Sequence, residues 1–363
     1  MRLATIDDRT RDGRLVVVSS DGLRGELADR ANPGDPRLRT LQAALDHWAE
    51  VEPSLRSLAA ELMAASAGFA LADHHLRAPL PRAYQWVDGS AYLHHVRLVR
   101  KARGAEMPAS FLEDPLVYQG GSDHMLGPVD DITHASEDFG IDFEAEIGIV
   151  TDDVPYGVSP DEAHKHIKLF VLLNDVSLRN LIPAELAKQF GFFNSKPPTA
   201  FAPFAVTPDE LGPALRDGRV HLRVQVAWNG EPFGHPDAGV GMQFGFHELI
   251  AHIAKTRPLG AGTIVGSGTV SNDEPGVGSC CIAEQRMLEI IASGAPKTPF
   301  MRFGDRVRIE VQDGGRSVFG VIDQKVQKVQ KVQEVQEVQE VQRVQEVVQM
   351  GARGPGLPDE GLA

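Results

Sequence analysis

Residues 142–150 read Asp142-Phe143-Glu144-Ala145-Glu146-Ile147-Gly148-Ile149-Val150. On an extended chain, alternate residues face the same side. Glu144 and Glu146 therefore fall side by side, with Phe143, Ala145 and Ile147 facing the other way. The apolar residues that flank the glutamates mark a core strand rather than a solvated one. Two carboxylates held together at the edge of a core repel each other, and a hard divalent cation bound through oxygen relieves that repulsion. A wet strand face carrying two acids is the plain alternative, and the apolar run weighs against it.

Further along, Lys168-Leu169-Phe170-Val171-Leu172-Leu173-Asn174-Asp175 is a buried-strand run that ends in an acid. A strand end fixes a carboxylate well, so Asp175 is a third candidate for the same cluster. The competing role, capping a helix expected to begin at Ser177-Leu178-Arg179-Asn180, suits Asp175 and Asn174 equally. Next, Phe192-Phe193-Asn194-Ser195-Lys196-Pro197-Pro198-Thr199 puts a lysine on a proline-flanked loop. Beside three carboxylates a lysine balances charge and binds an anionic substrate; alone, it reads as a surface residue.

Four segments in order resemble the fumarylacetoacetate hydrolase family: Ile141 to Val150, then Asn174 to Asn180, then Asn194 to Pro203, then Gly266-Ser267-Gly268-Thr269-Val270-Ser271-Asn272 with a following glutamate. The resemblance covers roughly residues 80–323. It implies an α+β, β-rich fold: a mixed β-roll with a small N-terminal domain. It also implies that Glu144, Glu146 and Asp175 bind Mg²⁺ (or Ca²⁺ or Mn²⁺). In the family's fumarylacetoacetases a further aspartate ligand is followed seven residues later by a catalytic histidine. Asp88 and His95 offer that spacing, and Glu284 matches the histidine's glutamate partner. Lys196 and Arg179 match catalytic basic residues, while Tyr118, Thr199 and Thr269 match substrate-side positions. This chain departs from those enzymes at Ile182, Leu186 and Ser90, where they carry glutamine, tyrosine and tyrosine. The resemblance therefore implies the metal site more firmly than the substrate pocket. The implied activity is metal-dependent hydrolysis of a carbon–carbon bond in a small anionic β-dicarbonyl acid, by a homodimer. Oxaloacetate decarboxylation or keto–enol isomerisation uses the same scaffold and is the alternative.

The wider sequence agrees with such an enzyme. The 363 residues are 42% hydrophobic and carry a formal net charge of −14. That acidity argues against a sequence-independent grip on nucleic acid or on anionic membranes. The only cysteines, Cys280 and Cys281, are adjacent, which disfavours both a structural disulfide and a thiolate zinc site. The start has no signal-peptide core, and no apolar run of about 20 residues occurs, so a cytoplasmic protein is expected. No GxSxG elbow, P-loop or dinucleotide fingerprint is present. Of the histidines, His164, His166, His247 and His252 read as ordinary. His94 is expected to point away from His95 on an extended segment.

Residues 1–75 are expected to form the small domain: two strands around an Arg-Asp-Gly turn, a helix with Leu41, Leu45 and Trp48 on one face, and a second helix opened by Pro53. Residues 76–323 form the β-rich catalytic domain, with helices over 160–168, 179–190 and 246–254. Residues 324–363 are read as a low-complexity tail, because a Val-Gln-x repeat fits neither a heptad nor strand alternation. A non-enzymatic assembly protein organised by that tail is the remaining alternative.

Overall fold

The computed structural model describes residues 1–65, 68–102 and 109–329. Met1–Gln327 form one unit, and of residues 328–363 only Lys328 and Val329 are described. The role of the repeat from 330 onward lies outside the described residues. Its first residues do not belong to a tail: they complete the strand Arg316–Lys328. There Ile322, Gln324 and Val326 are buried while Lys325 is exposed, a two-residue alternation that the repeat's three-residue period conceals.

An eleven-stranded sheet runs through the described chain. Its centre holds Ile167–Asn174, Ala145–Thr151, Ile264–Gly266 and Trp86–Gly89, in that order. On one side the strands of the first 75 residues continue it, because Arg2–Ile6 pairs antiparallel with Ala205–Val206. Pairing is antiparallel throughout except between Ile264–Gly266 and Trp86–Gly89. A second, five-stranded sheet contains Val224–Trp228, Arg306–Asp313 and Arg316–Lys328. The result is the mixed, β-rich α+β architecture expected from the sequence.

Alternation along the central strands explains the layers. Ile147 and Ile149 face Val226, Ile309 and Ile322 of the second sheet. Val150, Leu169 and Leu173 face the other way, toward Leu41, Trp48 and Leu55 of the N-terminal helices. Each apolar side chain so covered contributes about 1.5–3 kcal/mol. The helix Trp48–Ala65 begins before Pro53 and carries the proline inside it, contrary to the expectation that Pro53 opens a helix. Trp48, Val51, Leu55 and Leu58 make one continuous buried stripe, and its burial outweighs the roughly 3 kcal/mol cost of an interior proline.

Other expected helices are shorter than the sequence suggests. Residues 160–168 give Pro160–Ala163 and then a 3₁₀ turn, and 179–190 give only Ile182–Leu186. Ser177–Leu178 begins no helix; it pairs as a short strand with Ile141–Asp142. Phe246–Ile253 is close to its expected span. Among the described residues, no helix is long and apolar enough to cross a membrane.

Candidate active site

Three carboxylates meet where central strands end. Asp88 comes from Trp86–Gly89, Glu146 from Ala145–Thr151, and Asp175 follows Ile167–Asn174. Glu146 sits opposite Leu173, which sets it beside the strand that delivers Asp175. Asp88 must reach across the intervening strand, where it pairs in register with Gly266. A Cβ at 266 would lie 2.4 Å from Asp88 Oδ1, so only glycine leaves room for the carboxylate. Asp88 Oδ1 also accepts the Gly268 N–H at 3.0 Å, and Gly268 holds a positive φ of 80°.

One oxygen from each of Asp88, Glu146 and Asp175 lies within 4.8 Å of the others, and all three side chains are buried. Both Glu146 oxygens lack a hydrogen-bond partner among the described residues. Burial, reinforced by the charge of Asp175, pushes the Asp88 carboxyl up to about 8. Burial and then the charges of Asp88 and Asp175 hold Glu146 well above the usual carboxylate range. Orphaned, crowded carboxylates of this kind fit an all-oxygen site for a hard divalent cation.

Glu144 lies beside that triad rather than in it. The chain is irregular at Phe143 and Glu144, the strand beginning only at Ala145. The Glu144 carboxylate accepts from Arg179 Nη2, and from Lys196 Nζ at 2.7 Å. Burial opposes its charge, but Arg179 and Lys196 together hold it well below the usual carboxylate range. Lys196 also reaches Asp175 Oδ2 at 2.6 Å. Burial alone would lower the lysine, yet Asp175 and Glu144 raise it above the ordinary value.

Asp175 caps no helix. It accepts from Tyr118 Oη at 2.5 Å and from Thr199 Oγ1 at 2.8 Å. Burial and the Asp175 charge raise the Tyr118 phenol well above its ordinary value, so it stays protonated as a donor. Asn174 caps none either, and its Oδ1 accepts the Glu144 N–H at 3.0 Å.

His95 Nδ1 lies 3.0 Å from Glu284 Oε2. The histidine is on the helix Leu93–Ala102 and the glutamate is in the first turn of Ile282–Ser293. The segment is thus helical, not extended as the sequence suggested for His94. His94 Nδ1 instead meets Ser271 Oγ at 2.8 Å. A pocket of about 130 Å³ brings together Asp88, His95, Tyr118, Glu144, Arg179, Lys196 and Thr269. Of the three departures from the fumarylacetoacetases, Ile182 and Ser90 line it, whereas Leu186 is exposed and does not line it. A larger cavity, about 610 Å³ between Phe170 and His247, contains none of these acids.

Sequence pattern alone assigns no role to Asp142, although it stands in the deciding stretch. Fully buried, it accepts from Arg179 Nε at 2.8 Å, Ile282 N at 2.7 Å and Ala283 N at 2.9 Å. One carboxylate thus orients Arg179 and anchors the helix that carries Glu284. Phe192, packed edge-on against Tyr118 at 5.4 Å, likewise carries no sequence signal that marks it as a pocket residue.

Residues 85–327 match the family model described as Fumarylacetoacetate (FAA) hydrolase C-terminal, and residues 1–82 match Fumarylacetoacetase N-terminal domain 2. The chain belongs to the fumarylacetoacetate hydrolase family. It is 28% identical over 260 residues to the 2,4-didehydro-3-deoxy-L-rhamnonate hydrolase of Sphingomonas sp. (strain SKA58), covering 71% of this chain and 83% of that protein. It is 25% identical over 251 residues to the oxaloacetate tautomerase YisK of Bacillus subtilis (strain 168), covering 68% and 73%. Maleylpyruvate hydrolase from Sphingobium sp. SYK-6, solved in complex with manganese (II) ion and pyruvate, shares the fold at a TM-score of 0.61 and 16% identity, over 91% of this chain and 100% of that one. Members of the fumarylacetoacetate hydrolase family with these names are hydrolases and tautomerases, so the fold carries more than one reaction.

Proposed function

We propose that this family member hydrolyses a carbon–carbon bond in a small acylpyruvate-type β-dicarbonyl acid, with a divalent cation of the magnesium class held by Asp88, Glu146 and Asp175, and Glu144 beside them. The observation that carries this reading is the His95–Glu284 pair, 3.0 Å apart, with His95 on the wall of a pocket that Asp88 of the acid triad also lines. When bound, the cation supplies Lewis acidity toward a substrate carbonyl.

With its Nδ1–H donated to Glu284, His95 keeps a lone pair on Nε2 and takes a proton from water. The hydroxide oxygen bonds to the acyl carbon. The carbon–carbon bond then breaks, its electron pair passing to the carbon that becomes the methyl of pyruvate. His95 returns the proton there. The products are a carboxylic acid and pyruvate, which together account for substrate plus water. Arg179 and Lys196 face the negative charge that develops on the departing fragment. Ile182 and Phe192 make an apolar wall, which supports a hydrocarbon acyl group.

Keto–enol isomerisation of oxaloacetate is the second reading, supported by the likeness to a protein named as an oxaloacetate tautomerase. It needs the same histidine but no attacking water. The test follows loss of enol absorbance for an acylpyruvate, fumarylacetoacetate and oxaloacetate, with Mg²⁺ and with EDTA, and assays pyruvate in parallel. Pyruvate release from the acylpyruvate that EDTA stops supports hydrolysis. Enol loss with oxaloacetate alone, without cleavage, overturns it in favour of isomerisation. We further propose that the enzyme works as a homodimer, to be tested by light scattering.

A further inference from the structure

Between Asp175 and Lys196 lies a buried carboxylate that none of this chemistry uses. Glu185, on the short helix Ile182–Leu186, is 9% exposed and accepts hydrogen bonds from three consecutive residues. Phe193 N and Ser195 N reach its Oε2 at 3.1 and 3.2 Å, and Ser195 Oγ reaches the same oxygen at 2.5 Å. Asn194 N reaches Oε1 at 2.7 Å. Successive backbone N–H groups converging on one point form a nest for an anion. Here the chain fills the nest with its own side chain. Leu178 N donates to Ser195 O at 2.8 Å, so the nest's last residue is also tied to the strand next to Asp175.

The residue after this nest is Lys196. Its long stem is flexible, so the position of its backbone decides whether the ammonium reaches Asp175 and Glu144 at 2.6 and 2.7 Å. We propose that Glu185 is a positioning residue: by holding the 193–195 nest it sets Lys196 between Glu144 and Asp175. This rests on the role given to Lys196 above. Charge-assisted bonds are about twice as strong as neutral ones, which suits a carboxylate to holding a loop that otherwise ends in exposed Phe190 and Phe193.

The test uses the full chain with Mn²⁺ alone as the first probe, followed by turnover of the substrate found active. Removing the Lys196 charge from beside Asp175 tightens cation binding, by at least about tenfold on Coulombic grounds. K196M is therefore expected to bind Mn²⁺ more tightly and to lose turnover. E185A and the size-conserving E185Q are expected to shift in the same direction, with Mn²⁺ affinity raised and kcat lowered by about tenfold for E185A and less for E185Q. Damage to the fold would weaken Mn²⁺ binding instead. Formate, filling the empty nest, is expected to restore both quantities in E185A and neither in K196M. Wild-type or weaker Mn²⁺ binding in both Glu185 variants, beside tighter binding in K196M, overturns the positioning role. Unchanged Mn²⁺ binding and turnover in K196M would instead remove the role of Lys196, and the proposal with it.

Discussion

Replacing Asp142 by Asn tests how much of the site hangs on one buried carboxylate. The wild-type side chain accepts three hydrogen bonds, from Arg179 Nε, Ile282 N and Ala283 N, and has no contact with solvent. An asparagine of the same shape offers one oxygen. Its amide group must then face either the Ile282 N–H or the pair of donors from Arg179 and Ala283, donor against donor. Losing a hydrogen bond to a charged group costs about 1.5–3 kcal/mol, and removing one partner of a buried ion pair costs about 3–5 kcal/mol. The helix Ile282–Ser293 also loses the acceptor for one of its first two N–H groups, with only the weak Cys281 Sγ contact to Glu284 N at 3.4 Å beside the bond that remains. These contributions overlap, so the expected loss is about 3–5 kcal/mol. At about 1–2 °C per kcal/mol for a chain of this size, the melting midpoint falls by about 3–10 °C in scanning calorimetry. Arg179 keeps Glu144 but loses Asp142, so D142N and R179M remove one shared interaction, and the double variant should be more stable than the sum of the singles by at least about 1 kcal/mol. A D142N protein that melts within about 2 °C of wild type, with additive behaviour in the double variant, refutes the account.

Other expectations follow from the same geometry. H95N should retain Mn²⁺ binding by calorimetry while kcat falls about 10²–10⁴-fold, the usual contribution of a general base; normal turnover would remove His95 from the chemistry. G266A places a Cβ 2.4 Å from Asp88 Oδ1 and 2.5 Å from Trp86, so either Asp88 or the indole must move; Mn²⁺ affinity should fall at least about tenfold, as with loss of an outer-shell partner, and unchanged affinity would contradict the tight approach. For pH, the folded value of Asp88 at about 8 lies above the ordinary one. The metal-free folded state therefore holds a proton that the unfolded chain has released. Stability from this group is present below about pH 4 and is lost as pH rises to about 8. A cation takes the ionised form, so Mn²⁺ affinity should climb between about pH 6 and pH 8 and level above that. A flat affinity over that range would count against burial of an uncompensated Asp88.

The sequence makes the central strands legible because their chemistry is local. Runs such as 167–174 are apolar enough to be core strands in any context, and the acids that matter sit at or near their ends. What it hides comes from breaks in regularity. Perfect alternation from Asp142 would put Asp142, Glu144 and Glu146 on one face. The chain instead leaves strand geometry at Phe143 and Glu144, and the three acids go to three partners: the Ile282 helix with Arg179, the two basic side chains, and the triad with Asp88. The helix carrying Glu284 escapes notice because its cap is a cysteine and its first donors are bound by a residue about 140 positions away.

That partition of carboxylates also bears on the chemistry. Glu144 and Asp142 are neutralised by Arg179 and Lys196, whereas among the described residues Glu146 has no donor and Asp88 has only a backbone one. The site therefore keeps its basic groups committed on one side and its uncompensated acids on the other. A cation on the acid side would free Lys196 and Arg179 to turn part of their charge toward an anionic substrate, because Asp175, now shared, would hold Lys196 less strongly. Metal and substrate anion should accordingly bind cooperatively, each strengthening the other by the same factor. Calorimetric titration of pyruvate into the protein with and without Mn²⁺ measures that factor. Equal pyruvate affinity in the two states would mean that the basic side chains serve only to hold the acids in place.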